Sequence, residues 1–452
     1  MDFVKSALYL EVQNVVRSGR EPTGVQVDVE FHLSNTEIFK PLVFLSRDID
    51  QNFVLNYGDI VFITVLMTKA DYAYKIYPNR TNLYVTLTDR AVGIIDRSPI
   101  ASAYGFSEKY KAILLDENGN PIVEHDGRNS PDEVQLEASG FVEVTFQLLS
   151  EALNLLRMFS ASKTYHNVSG DKILKTVFSS IFDKLPIDDA VRPYGVDVVP
   201  IDNREVYRQI VVPQQIMLPN LADYLQNKAG GLYSSGLGNY YLRRHWRIFP
   251  IFNTDRQEET DESITLVLVP EKLIPGIEKT YIRSGKHTTI LATGDVKFSD
   301  ESDKIQLNSG NAVRFADANN FIDGRMSVDN NKALYKRNLI ASEVVTATRG
   351  DRLNLAPFVG ITANPFAEYS KMAQRDGAIV ALKWEYSNIA ILKPGMVVKL
   401  MYLDGDNIRT LNGCLIGAQH NTYTKDKGAT NTSRFHTNSA LAVFVNRRKA
   451  YL

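Results

Sequence analysis

From residue 25 to residue 33 the apolar side chains Val25, Val27, Val29, Phe31 and Leu33 alternate with Gln26, Asp28, Glu30 and His32. A two-residue period of this kind lays one face of an extended strand on a core and the other against water. Apolar runs at 60–67, 83–87, 112–115 and 141–149, separated by turn residues such as Asn56-Tyr57-Gly58 and 116–120, predict further strands. Residues 1–148 therefore read as one antiparallel β domain, a barrel.

The period then changes. Residues 150–159 read as a short amphipathic helix, and Ser169 is placed to cap a second whose buried face holds Ile173, Leu174, Val177, Ile181 and Phe182. A third begins at Asn220, just after Pro219, carries Leu221, Tyr224 and Leu225, and stops at Gly230-Gly231. Leu232-Tyr233 and the run 240–252 predict a hairpin with Trp246, Ile248 and Phe249 as its bulk, followed by an acidic solvated loop at 255–262 and a strand at 264–269. Residues 149–260 are thus expected to form an α+β module.

Residues 300–377 are rich in Asn, Asp and Ser and read as a loop-rich insertion. Strands resume at 378–384, 396–403, 411–415 and 441–445, punctuated by Pro394-Gly395 and Asp404-Gly405-Asp406. Residues 261–299 and 378–452 together predict a second β barrel. The expected fold class is α+β, mainly β: two barrels, an α+β module between them and an insertion. No fixed-period repeat is present.

Composition narrows the function classes. A chain of 452 residues exceeds what one core serves, and 44% hydrophobic with 23% charged residues is ordinary for a folded protein, so two to four folded domains are expected. Lys plus Arg number 51 against 52 acidic residues, without the basic footprint of a dedicated nucleic-acid binder. The single cysteine, Cys414, excludes an intrachain disulfide framework and fits a reducing cytoplasm. The N-terminus lacks a charged segment followed by an apolar one, and no run of about 18 apolar residues occurs, which predicts a soluble chain not exported by the usual route.

Candidate chemistry is sparse. The histidines at 32, 125, 166, 245, 287, 420 and 436 are scattered, with no zinc-binding spacing, so no metal is expected. Cys414 and His420 would have to meet as nucleophile and base, but a lone cysteine in an apolar strand reads as packing. Residues 116–120 have a superficial calcium-loop pattern, yet Pro121 stands where that loop needs glycine, so a hairpin turn is expected. Gly236-Leu237-Gly238 lacks the third glycine of a dinucleotide site, and no cofactor is expected. Glu258, Glu259, Asp261 and Glu262 carry carboxyls of the kind glycoside cleavage uses, but on a polar loop that would not hold their spacing. Tyr233, Tyr240, Tyr241 and Trp246 are either a sugar-stacking surface or hairpin core. Arg243-Arg244 and Arg447-Arg448-Lys449 either face DNA phosphates or a partner's acidic patch, or are solvated strand ends. No catalytic residue is assigned, and the expectation is a protein that is not an enzyme.

One arrangement is more telling. The helix at 173–182, Ile210-Val211-Val212-Pro213, Ile216-Met217-Leu218-Pro219-Asn220-Leu221, Ala229-Gly230-Gly231-Leu232-Tyr233 and Trp246-Arg247-Ile248-Phe249-Pro250 resemble in order the tail hub family of contractile-tailed phages, related to type VI secretion spike-hub proteins. Leu392-Lys393-Pro394-Gly395-Met396, Gly413-Cys414-Leu415-Ile416-Gly417-Ala418-Gln419-His420 and the run 440–445 resemble its last barrel. The resemblance implies a baseplate hub subunit: a homotrimer whose two barrels per copy build a pseudo-sixfold ring between the sixfold tail tube and the threefold central spike. It also implies baseplate wedge contacts, genomic DNA passing the lumen without sequence-specific binding, no membrane, and a place in the virion tail after assembly in the host cytoplasm. Other readings are a different tail tube or baseplate component, a glycan-degrading enzyme and a carbohydrate-binding protein.

Overall fold

The computed structural model describes residues 6–18, 24–33, 37–91, 106–116, 140–189, 191–256, 262–273, 278–294, 377–405, 407–424 and 435–446, with Phe3, Val296 and a few positions between 366 and 374. In chain order the strands are β1 (Val25–His32), β2 (Ile38–Phe39), β3 (Val43–Asn52), β4 (Ile60–Thr68), β5 (Tyr84–Ala91), β6 (Phe106–Leu114), β7 (Phe141–Ser150), β8 (Lys163–Val168), β9 (Gly195–Val198) and β10 (Tyr207–Val212). They continue as β11 (Leu237–Leu242), β12 (His245–Pro250), β13 (Ser263–Leu268), β14 (Tyr281–Ser284), β15 (His287–Ala292), β16 (Gly377–Trp384), β17 (Val397–Asp404), β18 (Asn407–Thr424) and β19 (Phe435–Asn446). The fold is mainly β with an α+β portion.

Strand β1 keeps the predicted alternation, with Val27, Val29 and Phe31 buried and the residues between them half-exposed. Strands β4 and β7 do the same, so their apolar faces must meet across a common interior. Eight strands achieve this by closing into a ring in the order β18-β3-β4-β7-β6-β5-β1-β19, with β18 and β19 paired to each other. Phe31, Ile63, Val65 and Phe146 fill it. The last closing contact is short, Val25 of β1 opposite Phe435 of β19.

Strand β18 has 18 residues, and a register shift between Leu415 and Gly417 divides its work. Before the shift it pairs with β17, and after it with β3. A second set of strands therefore leaves the same β18–β19 ribbon, through β17, β13 and β15 on one side and β16 on the other. Thr293 and Lys383 exchange two backbone hydrogen bonds of 2.8 Å that tie the end of β15 to β16. Those strands surround a core that includes Leu266, Ile290, Trp384, Val398, Leu415 and Val443.

Strand β13 is buried at four successive positions because both its faces are covered. Ile264 and Leu266 face the second core, while Val267 and Val269 meet Leu8, Val12 and Val15 of a helix, Ala7–Ser18. That helix lies outside the elements expected from the sequence.

Helices Glu151–Leu156, Gly170–Phe182 and Leu221–Lys228, the pair β8–β10 and the sheet β11-β12-β9 enclose a third core around Phe178 and Trp246, ring centroids 4.9 Å apart. Ser169 does sit at the helix N-cap, but its hydroxyl bonds the Asp171 carboxylate instead of a backbone N–H. Gly230 and Gly231 adopt φ of 92° and 86°, the left-handed stop expected after the third helix. The predicted hairpin is β11–β12 alone: Leu232 and Tyr233 are buried in the third core but precede the strand. The insertion expected at 300–377 and the turn at 116–120 lie almost wholly outside the described residues.

Candidate functional site

The three cores meet at a buried polar seam. Asp59, just before β4, accepts a hydrogen bond from the Tyr240 hydroxyl (2.8 Å) and from the Gln51 amide (3.1 Å). The Gln51 Oε1 lies 3.1 Å from His420 Nε2, and His420 Nδ1 lies 2.6 Å from the Ser439 hydroxyl. With its amide nitrogen turned to Asp59, Gln51 presents an acceptor to His420, which fixes the Nε2–H tautomer. Glu108 accepts from the Tyr110 hydroxyl (3.0 Å).

Electrostatics follow from burial. Desolvation, with help from Asp59, pushes the Glu108 carboxyl up to about 7, and burial also raises Asp59. Burial, reinforced by Arg243 and Arg47, drives His420 down to about 3. The Ser439–His420 contact has the connectivity of a nucleophile and its base, but both residues are buried and the imidazole is far too weak a base at neutral pH to take the serine proton. The seam is a structural joint: Tyr240–Asp59 and Tyr57–Asp223 (3.0 Å) bind the α+β portion to the eight-stranded ring.

Arg243 and Arg244 form the two-residue turn of the β11–β12 hairpin, with φ of 50° and 67°. Left-handed backbone costs non-glycine residues roughly 1–2 kcal/mol each. Here the guanidinium groups offset that cost, Arg243 donating to the carbonyls of Ile389 and Ala390, and Arg244 to those of Arg192 and Asp189 while stacking 3.6 Å from the Tyr194 ring. Both arginines are joints within the chain. Arg447, Arg448 and Lys449 lie outside the described residues.

The remaining candidates separate. Cys414 donates to the Asn253 carbonyl and does not meet His420, and burial pushes its thiol up to about 12. Tyr233, Tyr240, Tyr241 and Trp246 are all buried, so they are core and no sugar-stacking surface. Gly238 lies under the Phe249 ring, where a Cβ would stand 2.3 Å from a ring carbon, so its bareness serves packing. Glu262 pairs with Lys393; Glu258, Glu259 and Asp261 lie outside the described residues. His32 bonds Thr86, His287 bonds Ser263 and Thr265, His245 lies beside Asp197, His436 packs edge-on against Tyr386, His166 is exposed on β8, and His125 lies outside the described residues. Among the described residues no three metal-ligating side chains gather, and no helix there is long and apolar enough to cross a membrane.

What the surface does offer is relief. A groove of about 460 Å³ crosses the outer face where β3, β18, β19 and β16 run side by side. Ala381, Ala440 and Ala442 floor it, Phe252 and Leu55 flank it, and Asp50 stands on its rim. None of these residues carries a sequence signal of its own, since alanines on neighbouring strands are an ordinary pattern until β18 brings β3 beside β19.

No protein-family profile matches the chain, and no curated protein matches it in sequence. Solved structures of phage tail proteins and of type VI secretion components are similar to it. A tail protein from Neisseria meningitidis MC58 is 10% identical over 93% of this chain and 96% of that one, with a TM-score of 0.41. The 43 kDa tail protein of prophage MuSo2 from Shewanella oneidensis is 10% identical over 92% and 98%, TM-score 0.41. The E. coli c3393 protein, described as a component of the type VI secretion system, is 9% identical over 91% and 76%, TM-score 0.41.

Proposed function

We propose that this chain is a structural subunit of a phage tail baseplate hub, three copies of which close a pseudo-sixfold ring joining the sixfold tail tube to the threefold central spike. The observation that carries the reading is that one chain holds two strand assemblies on a shared β18–β19 ribbon. A closed or nearly closed ring of strands leaves few edges to pair adventitiously, and so makes a rigid wall segment. Two such segments per copy turn threefold symmetry into an approximate sixfold one, which a single-ring chain would not do.

In this role shape is the working property and no reactive side chain is required. The partners are further copies of the chain, the central spike, the tail tube and wedge proteins, with genomic DNA passing through the lumen without sequence-specific contacts. The place of action is the virion tail. Native mass measurement of the purified chain is expected to give a trimer, and images of tail particles should locate it on the tail axis. A monomer at all concentrations, or a peripheral position, overturns the reading; a hexamer on the axis would favour a tail tube component, and clearing of peptidoglycan by the purified chain would favour an enzyme.

A further inference from the structure

We infer that the outer edge of β8 takes up a strand from an acidic, extended peptide segment of a partner protein. The inference stands apart from the hub reading, since it needs only the β8–β10 ribbon of the α+β portion. Strands β8 and β10 form a sheet of their own, with Tyr165 opposite Ile210 and Lys163 opposite Val212. Ile210 and Val212 are buried in the third core and anchor the ribbon, while Lys163, Thr164, His166 and Asn167 of β8 are exposed. On the β10 side the Tyr224 hydroxyl donates to the Val211 carbonyl (2.8 Å). Among the described residues β8 hydrogen-bonds to β10 and to nothing else. Its second edge therefore turns backbone N–H and C=O groups to water, the template on which another strand pairs.

What that edge admits is set by charge. From 157 to 168 and from 206 to 218 the chain has no aspartate or glutamate, but it has Arg157, Lys163, His166 and Arg208. Arg157, Lys163 and Arg208 are exposed, and among the described residues they form no ion pair. The acids at the far end of the ribbon are engaged: Asp171 accepts from the Ser169 hydroxyl (2.6 Å) and lies 3.9 Å from Lys175, and Glu205 lies against the Tyr207 hydroxyl. The register puts Lys163 and Arg208 on one face, flanking Tyr165 and Ile210, so an added strand with carboxylates at alternate positions meets cations on that side of the sheet. Lysine on an edge repels a copy of the same edge, which argues against β8 pairing with β8. Nucleic acid fits less well: a phosphate backbone accepts hydrogen bonds but donates none, so the edge carbonyls would stay bare. Val206 and Val211, 60% and 51% exposed, add apolar surface that a peptide side chain covers and a phosphate does not.

Fluorescence anisotropy on the full chain tests this with a labelled decapeptide of alternating glutamate and valine at neutral pH. Saturable binding that weakens as salt is raised is expected. The same peptide with every backbone nitrogen methylated keeps its charge but cannot donate to the edge, and should bind at least tenfold more weakly. The unmethylated peptide should lose as much against a chain carrying Lys163→Glu and Arg208→Glu. Both positions are exposed, so the circular dichroism of that chain should match wild type. A lysine–valine decapeptide should not bind. Absence of binding between the glutamate–valine peptide and the wild-type chain overturns the inference, and equal binding of the methylated peptide overturns strand addition. A short DNA duplex that binds more tightly than the peptide and is lost in the same double variant would assign the ribbon to nucleic acid. Self-association that disappears in that variant would assign it to a second copy, and either outcome sinks the inference.

Discussion

Arg47 on β3 and Asp89 on β5 form a two-point ion pair across the inside of the eight-stranded ring, Nη1 to Oδ1 at 2.8 Å and Nη2 to Oδ2 at 2.9 Å. Three strands separate β3 from β5 whichever way the ring is followed, so the pair is a strap between opposite walls. The residues are 1% and 5% exposed.

Removing one end of such a strap leaves a charge without water or partner. Arg47→Ala is expected to cost about 3–5 kcal/mol in urea unfolding, and Asp89→Ala a similar amount. Replacing both, Arg47→Met with Asp89→Leu, should recover most of the loss, since neither charge is then stranded. A double variant as weak as the sum of the singles would contradict the strap.

The seam predicts opposed pH limbs. Glu108 holds its proton more tightly folded than unfolded, so ionising it destabilises the fold as pH rises from about 4.5 to about 7. His420 holds its proton less tightly folded, so stability is lost as pH falls from 6.5 toward about 3. Between about 4.5 and 6.5 the two slopes offset each other. Glu108→Gln should therefore lose stability more steeply than wild type on acidification, and His420→Gln should lose it as pH rises over that range. Urea midpoints measured at half-unit pH steps would show two profiles of opposite slope.

Gly395 adopts φ of 68°, and a Cβ there would lie 2.1 Å from the Phe249 ring. Gly395→Ala combines left-handed strain with overpacking and is expected to cost about 2–4 kcal/mol. Phe249→Leu in the same chain should return part of that cost, a coupling that a double-mutant cycle in urea would measure.

Cys414 should be inert in the folded protein. Its thiol is buried and held far from the thiolate, so modification by iodoacetamide at neutral pH is expected only on unfolding. Rapid labelling of the native chain would mean that β18 opens locally.

Local pattern was enough for the strands that alternate. Val27, Val29 and Phe31 announce the buried face of β1 with no knowledge of what covers it, and the glycines at 230 and 231 announce a helix end. Strand β3 escaped that reading because Arg47 and Gln51 occupy two of its inward positions, and their partners Asp89 and His420 lie far along the chain. The helix Ala7–Ser18 escaped because no acidic residue marks its first turn and its apolar stripe is satisfied only by distant strands, β13, β14, β15 and β17.

Alternation and turn chemistry act over a few residues, and they dictated which segments extend, which coil and which side chains are apolar. Which strand closes which ring was decided by the fold, because β18 pairs with β3 across more than 350 residues of chain and splits its two halves between two cores at one register shift. Hydrogen bonds between strands are indifferent to sequence separation. The groove and the seam therefore exist only once distant backbones lie side by side.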